Sequence, residues 1–303
     1  MTHIGAADVA GLEAATHTLR ALDYEHGGGA CADAVLAQLS TGRRLLGGIA
    51  STEIRTRLHV ALADLHNLAG WILFDLGRAE AARSHFDSAL ELALAAGNDS
   101  LAANVHYRLG RVFLHHNAFG AALREFEASG QAAAGSGLEL AIVDANLAWT
   151  HAKMGSSTDA TRLLARAQEG FAEADIAAAP DWARFFTAND LVAMAGTVHA
   201  DLAEAGELSH VEEAVPALSE AVEGYPEDMA RSRVFCLISL STASFLAGEV
   251  EEGVEVGHTA VREAIPIRSV RTADRMRPLL RVARGCGEAR GLVELIEEFG
   301  ASA

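Results

Sequence analysis

The chain has 303 residues and sets 41 acids against 24 lysines and arginines, a formal charge of −17. That balance excludes a nucleic-acid groove as its main surface, because phosphate binding needs clustered cations. Half of the residues are apolar and five are proline in an Ala- and Leu-rich text, the composition of an all-α protein with a large core.

In chain order, 6–25 and 30–46 read as two helices around the turn "HGGG", 26–29. No strand precedes these glycines and no Lys-Ser/Thr follows them, so they are expected to make a helix–helix turn rather than a phosphate cradle. Residues 1–52 are taken as an N-terminal helical hairpin. A spacing of small residues then begins in "GWILFDLGRAEAARSHFDSALELA", 70–93, where Gly70, Ala82 and Ala89 lie 12 and 7 apart. Gly110, Ala122 and Ser129 repeat it, as do Ala148, Ala160 and Ala167, and again Ser241, Gly253 and Ala260. His199, Ala214 and Ala221 keep only the second interval, and "GELSHVEE", 206–213, is the extension that lengthens the first. A second extension is marked by Pro180.

A bulky residue follows the middle small one by four at Phe86, Phe126, Leu164 and Leu218, but Gly257 breaks that rule. Such spacing lets two antiparallel helices approach where side chains are small. Gly77, Asn117, Gly155, Gly206 and Gly248 stand seven residues after each first small position, where a left-handed helix C-terminus is expected. Asp99–Ser100 and Ser156–Ser157 are candidate N-caps. The repeats occupy 53–266, and 267–303 are capping helices, in one continuous solenoid of about 14 helices.

This pattern resembles the tetratricopeptide repeat, with turns 38 to 51 residues apart instead of the usual 34. The resemblance implies a right-handed superhelical solenoid of antiparallel helix pairs. A looser resemblance, over 18–97 ("TLRALDYEHGGGACADAVLAQL" and "LAGWILFDLGRAEAARSHFDSALELALAAG"), is to the repeat region of actinobacterial helix-turn-helix regulators. Only 17 residues precede it, so the sensor half is expected without the DNA-binding domain.

The family pattern implies groove-facing positions on each first helix. In the first unit they are Asp64, Asn67, Trp71, Phe74 and Asp75. In the second they are Asn104, Tyr107, Arg111, Leu114 and His115. In the third they include Trp149 and Lys153, the chain's only lysine. The fourth unit supplies mostly alanines and Glu204, and the fifth is apolar from Phe235 to Leu246. Asn67 and Asn104 have both the donor and the acceptor that a peptide backbone needs, and Arg111 has the fork that a carboxylate needs. The alternative for Arg111 is an internal pair with Asp75. The expected ligand is a peptide or protein segment in the concave face; the alternative is a small molecule in an enclosed pocket, as in a sensor or an accessory biosynthetic enzyme.

No GxSxG, HExxH or HxH motif occurs, so neither catalysis nor a bound metal or other cofactor is expected, despite 13 histidines. Asp75 with His115 and Asp144 with His151 are the candidate acid–base pairs. Cys31, Cys236 and Cys286 are few, odd in number and scattered, which suits free thiols in a reducing compartment. With no basic leader and no uncharged run of about 18 apolar residues, a cytoplasmic location and no membrane partner are expected. Arg268, Arg271 and Arg275 share one helix face in an arginine-rich tail. That face is expected either to pair with acids of the fifth unit or to meet an acidic partner, a second copy of the chain included.

Overall fold

The computed structural model describes residues 3–133, 135–179, 182–267 and 269–302. Among them are 14 α-helices and no strand, and the helices pack as sequence-adjacent pairs. Pro180 and Arg268 lie outside the described residues. No helix among the described residues is long and apolar enough to cross a membrane. The chain divides into two compact units, Met1–Ala134 and Gly135–Ala303.

The first unit holds α1 (Ala6–His26), α2 (Ala32–Leu46), α3 (Thr52–Asp75), α4 (Ala79–Ala95), α5 (Asp99–His115) and α6 (Phe119–Ala132). The "HGGG" stretch is the turn between α1 and α2, with a short 3₁₀ turn at Gly28–Ala30. The small-residue spacing has the expected cause. A Cβ on Gly70 would stand 2.8 Å from the Phe86 ring, and one on Gly110 would stand 2.5 Å from the Phe126 ring. Both rings are fully buried, with Ala82, Ala89 and Ala122 beside them at zero exposure. Ser129 is small enough to fit and turns its hydroxyl onto the Ala103 carbonyl at 2.7 Å.

The second unit holds α7 (Gly137–Lys153), α8 (Ser157–Glu173), α9 (Ala188–Glu204), α10 (Val211–Gly224), α11 (Ala230–Ala247), α12 (Val250–Ala264), α13 (Val270–Ala283) and α14 (Arg290–Ser302). The first helices of its pairs also stack, α7 on α9, α9 on α11 and α11 on α13. Two departures from the expected register have local reasons. The close contact in the α9–α10 pair is at Gly196, where a Cβ would stand 2.7 Å from Leu218, and not at His199. The 3₁₀ turn Leu208–His210 lengthens the connection, so α10 meets α9 one turn earlier. At Gly257 the bulky partner comes from elsewhere: Leu292 of α14 lies 2.5 Å from where its Cβ would be, while Phe245 of α11 covers Gly253.

Gly77, Gly155, Gly206 and Gly248 all have positive φ, and Asn117 (φ 56°) is the non-glycine residue that does so among the described residues. The caps shift slightly from the expected ones. Asn98, not Asp99 or Ser100, accepts from the Leu101 amide, which leaves Asp99 in the first turn where its charge meets the positive helix end. Ser156 is at the N-cap of α8, but its hydroxyl bonds Asp159 instead of the backbone.

Candidate functional site

In the first unit the expected groove residues are engaged with one another and with neighbouring helices. The Asn67 amide on α3 donates to Asn104 on α5 at 2.8 Å, and both side chains are buried. Arg108, which the repeat pattern does not single out, donates to the Asn67 carbonyl at 2.9 Å and lies over the Trp71 ring at 5.3 Å. Arg111 lies over Tyr107 and donates to its hydroxyl at 3.1 Å. Asp64 pairs with Arg20 from α1. Asp75 is fully buried, and the His115 ring meets Phe74 edge-on. The two asparagines thus spend an amide contact on each other, which ties α3 to α5. A buried polar side chain left without such a contact would cost about 1–3 kcal/mol.

The second unit gathers a different cluster. Trp149 and Lys153 are four apart on α7 and share a face. The Trp149 indole N–H donates to Asp201 on α9, and the Lys153 ammonium is 3.4 Å from the same carboxylate. From α13, the Arg275 guanidinium lies 4.7 Å from the Trp149 ring and 4.2 Å from the Phe235 ring of α11. Arg271 lies over Phe235 as well, at 5.3 Å. Arg281 pairs with Glu204 at the end of α9. The helices α7, α9, α11 and α13 therefore contribute to one polar–aromatic surface. Trp149 is buried, while Arg275, Phe235, Lys153 and Asp201 are half-buried.

Lys153 thus meets Asp201, Arg281 meets Glu204, and Arg271 and Arg275 lie over the Phe235 ring, four cations on a chain whose net charge is −17. Trp149, Lys153, Glu204 and Phe235 are at groove positions expected from the sequence. Asp201 and Arg275 are not among them. The signal for Asp201 is present once Gly196 replaces His199 as the first small residue. Asp201 then stands five residues on, as Asp75, His115 and Lys153 do after Gly70, Gly110 and Ala148. Arg275 carries no such signal, because its role depends on where α13 packs.

Four tail arginines outside the expected face also make ion pairs among the described residues. Besides Arg281 with Glu204, Arg277 pairs with Asp274, Arg284 with Glu297 and Arg290 with Glu294.

Cys236 lies beside this surface, and burial pushes its thiol up to about 12 although Arg275 pulls the other way. Desolvation of the thiolate outweighs the guanidinium charge, so the sulfur stays protonated at neutral pH. In the second candidate acid–base pair, Asp144 is held by both nitrogens of an Arg166 fork, and His151 is 4.0 Å from Asp159. Asp144 is thereby tied as an ion-pair partner and not offered to His151.

No protein-family model matches the chain, and no curated protein matches it.

Proposed function

We propose that the chain is a non-catalytic, tetratricopeptide-like adaptor or regulator whose second unit binds a carboxylate-bearing peptide or protein segment. A right-handed superhelix and a cytoplasmic location, as in the sensor regions of helix-turn-helix regulators, belong to the same reading. The observation that carries it is Arg275 between the Trp149 and Phe235 rings. A guanidinium so placed is oriented by the ring faces, and its planar shape matches that of a carboxylate. Lys153 adds a second cation on the same surface.

A second reading is favoured by one feature. Arg275 of α13 reaches Trp149 of α7 past α9 and α11, so the surface is spanned from its last first helix to its first. Such a span suits a short segment or a small carboxylic acid better than a long continuous peptide.

Fluorescence anisotropy with labelled acidic, neutral and basic peptides tests the first reading, and competition by free small carboxylic acids tests the second. Acidic peptides should bind, and Arg275→Ala and Trp149→Ala should each weaken binding by about tenfold to a hundredfold. Failure of all ligands to bind, or binding by both variants as tight as by the unaltered chain, refutes the assignment.

A further inference from the structure

The 3₁₀ insertion that shifts the register of α10 also builds a cluster of metal-ligating side chains. His210 ends that insertion, and its Nδ1 comes within 2.9 Å of the Nδ1 of His199 on α9. Glu213 follows one turn later on α10 and is exposed. The three residues bring one ligand atom each within 4.8 Å of one another. A carboxylate oxygen of Glu207 is 3.7 Å from Nε2 of His210, the nitrogen that does not meet His199. His199 is two residues from Asp201, so on α9 the two side chains point in roughly opposite directions. The cluster is therefore separate from the Trp149–Arg275 surface.

We propose that His199, His210 and Glu213 form a binding site for a divalent first-row transition cation of the zinc class. Two imidazoles and a carboxylate are a zinc donor set, with the fourth position left to water. Zinc–nitrogen bonds of about 2.0–2.1 Å in a tetrahedral site hold nitrogens roughly 3.4 Å apart. The two rings need to open by only about 0.5 Å, and the exposed Glu213 side chain turns in to close the set. Glu207, 3.7 Å from Nε2 of His210, is the nearby carboxylate that would close onto the ring once His210 ligates through Nδ1.

A second histidine pair in the same chain supplies the contrast. His66 on α3 and His85 on α4 have nearly the same geometry, Nδ1 to Nδ1 3.0 Å and ring centroids 5.0 Å apart. The charged neighbour acting on them is Arg43, which repels a cation. The His199 pair has the same 5.0 Å centroid spacing, but its charged neighbour is Glu213. Burial lowers the His199 pKa, with His210 adding to the effect and Glu213 opposing it. The sequence carries the signal as His210-x-x-Glu213 within the extension at 206–213.

The experiment is calorimetric titration of the full chain, free of any polyhistidine tag, with zinc chloride, together with cobalt(II) absorption as a report of coordination geometry. One equivalent should bind with a tetrahedral cobalt spectrum. His210→Ala and Glu213→Gln should each weaken binding at least tenfold, and His85→Ala should leave it unchanged. Glu213 is exposed, so Glu213→Gln keeps the fold and tests the site even if His210→Ala unfolds the turn. An absence of saturable binding, or one-equivalent binding indifferent to Glu213→Gln or abolished by His85→Ala, overturns the site.

Discussion

Gly110→Ala and Gly11→Ala make the same chemical change in two helices and should have opposite effects. In an exposed helix interior, alanine is better than glycine by about 1 kcal/mol. Gly11 is in α1, exposed, with nothing within 4 Å of where a Cβ would stand. Its substitution should therefore stabilise by up to about 1 kcal/mol. At Gly110 the same methyl would stand 2.5, 2.6 and 2.8 Å from three carbons of the Phe126 ring. Ordinary contact begins at 3.4 Å, so the ring must recede by about 0.9 Å. Phe126 is fully buried between α5 and α6 and has no exposed side toward which to move. Overpacking of this kind costs about 1–3 kcal/mol. Set against the propensity gain, Gly110→Ala should destabilise by up to about 2 kcal/mol, or up to roughly 8 °C in melting temperature. Thermal and urea unfolding of both variants check this. If Gly110→Ala stabilises as Gly11→Ala does, the close crossing of α5 and α6 at that residue is wrong.

Ala82→Leu forces three extra carbons into a fully buried site between α3 and α4 and should lower stability by about 1–3 kcal/mol, read by urea denaturation. Burial, the His85 ring and Arg43 lower the His66 pKa from an ordinary 6.5 to about 4. The unfolded chain then binds the extra proton first, so stability should fall as pH drops from 6.5 to 4, on the order of a few kcal/mol; His66→Gln should flatten that slope in unfolding curves at pH 7 and pH 5. Duplex DNA should not bind at physiological salt, given the −17 charge; a sub-micromolar complex in an anisotropy titration that weakens steeply with salt would reverse this, with the α13 arginines the first suspects.

The helix pairs are legible in the sequence because their constraint is local. A glycine or alanine opposite Phe86, Phe126 or Leu218 leaves a spacing in the text, and so does a residue that must take positive φ after the first helix. His199, which spacing makes the first small position of its pair and packing does not, marks the limit. Spacing counts residues, whereas packing counts turns, and the 3₁₀ insertion at Leu208–His210 changes the relation between them. The residues that the repeat pattern assigns to a groove carry no sign of their partners. Nothing in the neighbourhood of Asn67 states that its amide meets Asn104, 37 residues away. Arg275 is legible only as a charge, because its neighbours Trp149 and Phe235 come from two other helices.

The placement of Arg275 also explains what α13 contributes. A purely solvated capping helix would turn its arginines away from the rest of the unit. Instead, Met276, Leu279 and Ala283, spaced 3 and 4 apart, are buried in the core formed with α11, α12 and α14. Arg271 and Arg275 flank that apolar stripe one helical turn apart, and both cover Phe235. Arg277, Arg281 and Arg284 occupy the more exposed side and meet single acids. Exposed pairs of that kind contribute little stability, typically under about 1 kcal/mol each. The half-buried Arg275 between two aromatic rings gains more from contact, up to about 2 kcal/mol where water is excluded. In the proposed carboxylate-binding role, that contact would fix the guanidinium in place before the ligand arrives and so reduce the ordering cost of binding. One helix thus closes the apolar core with one stripe and furnishes the neighbouring surface with an oriented cation from the next.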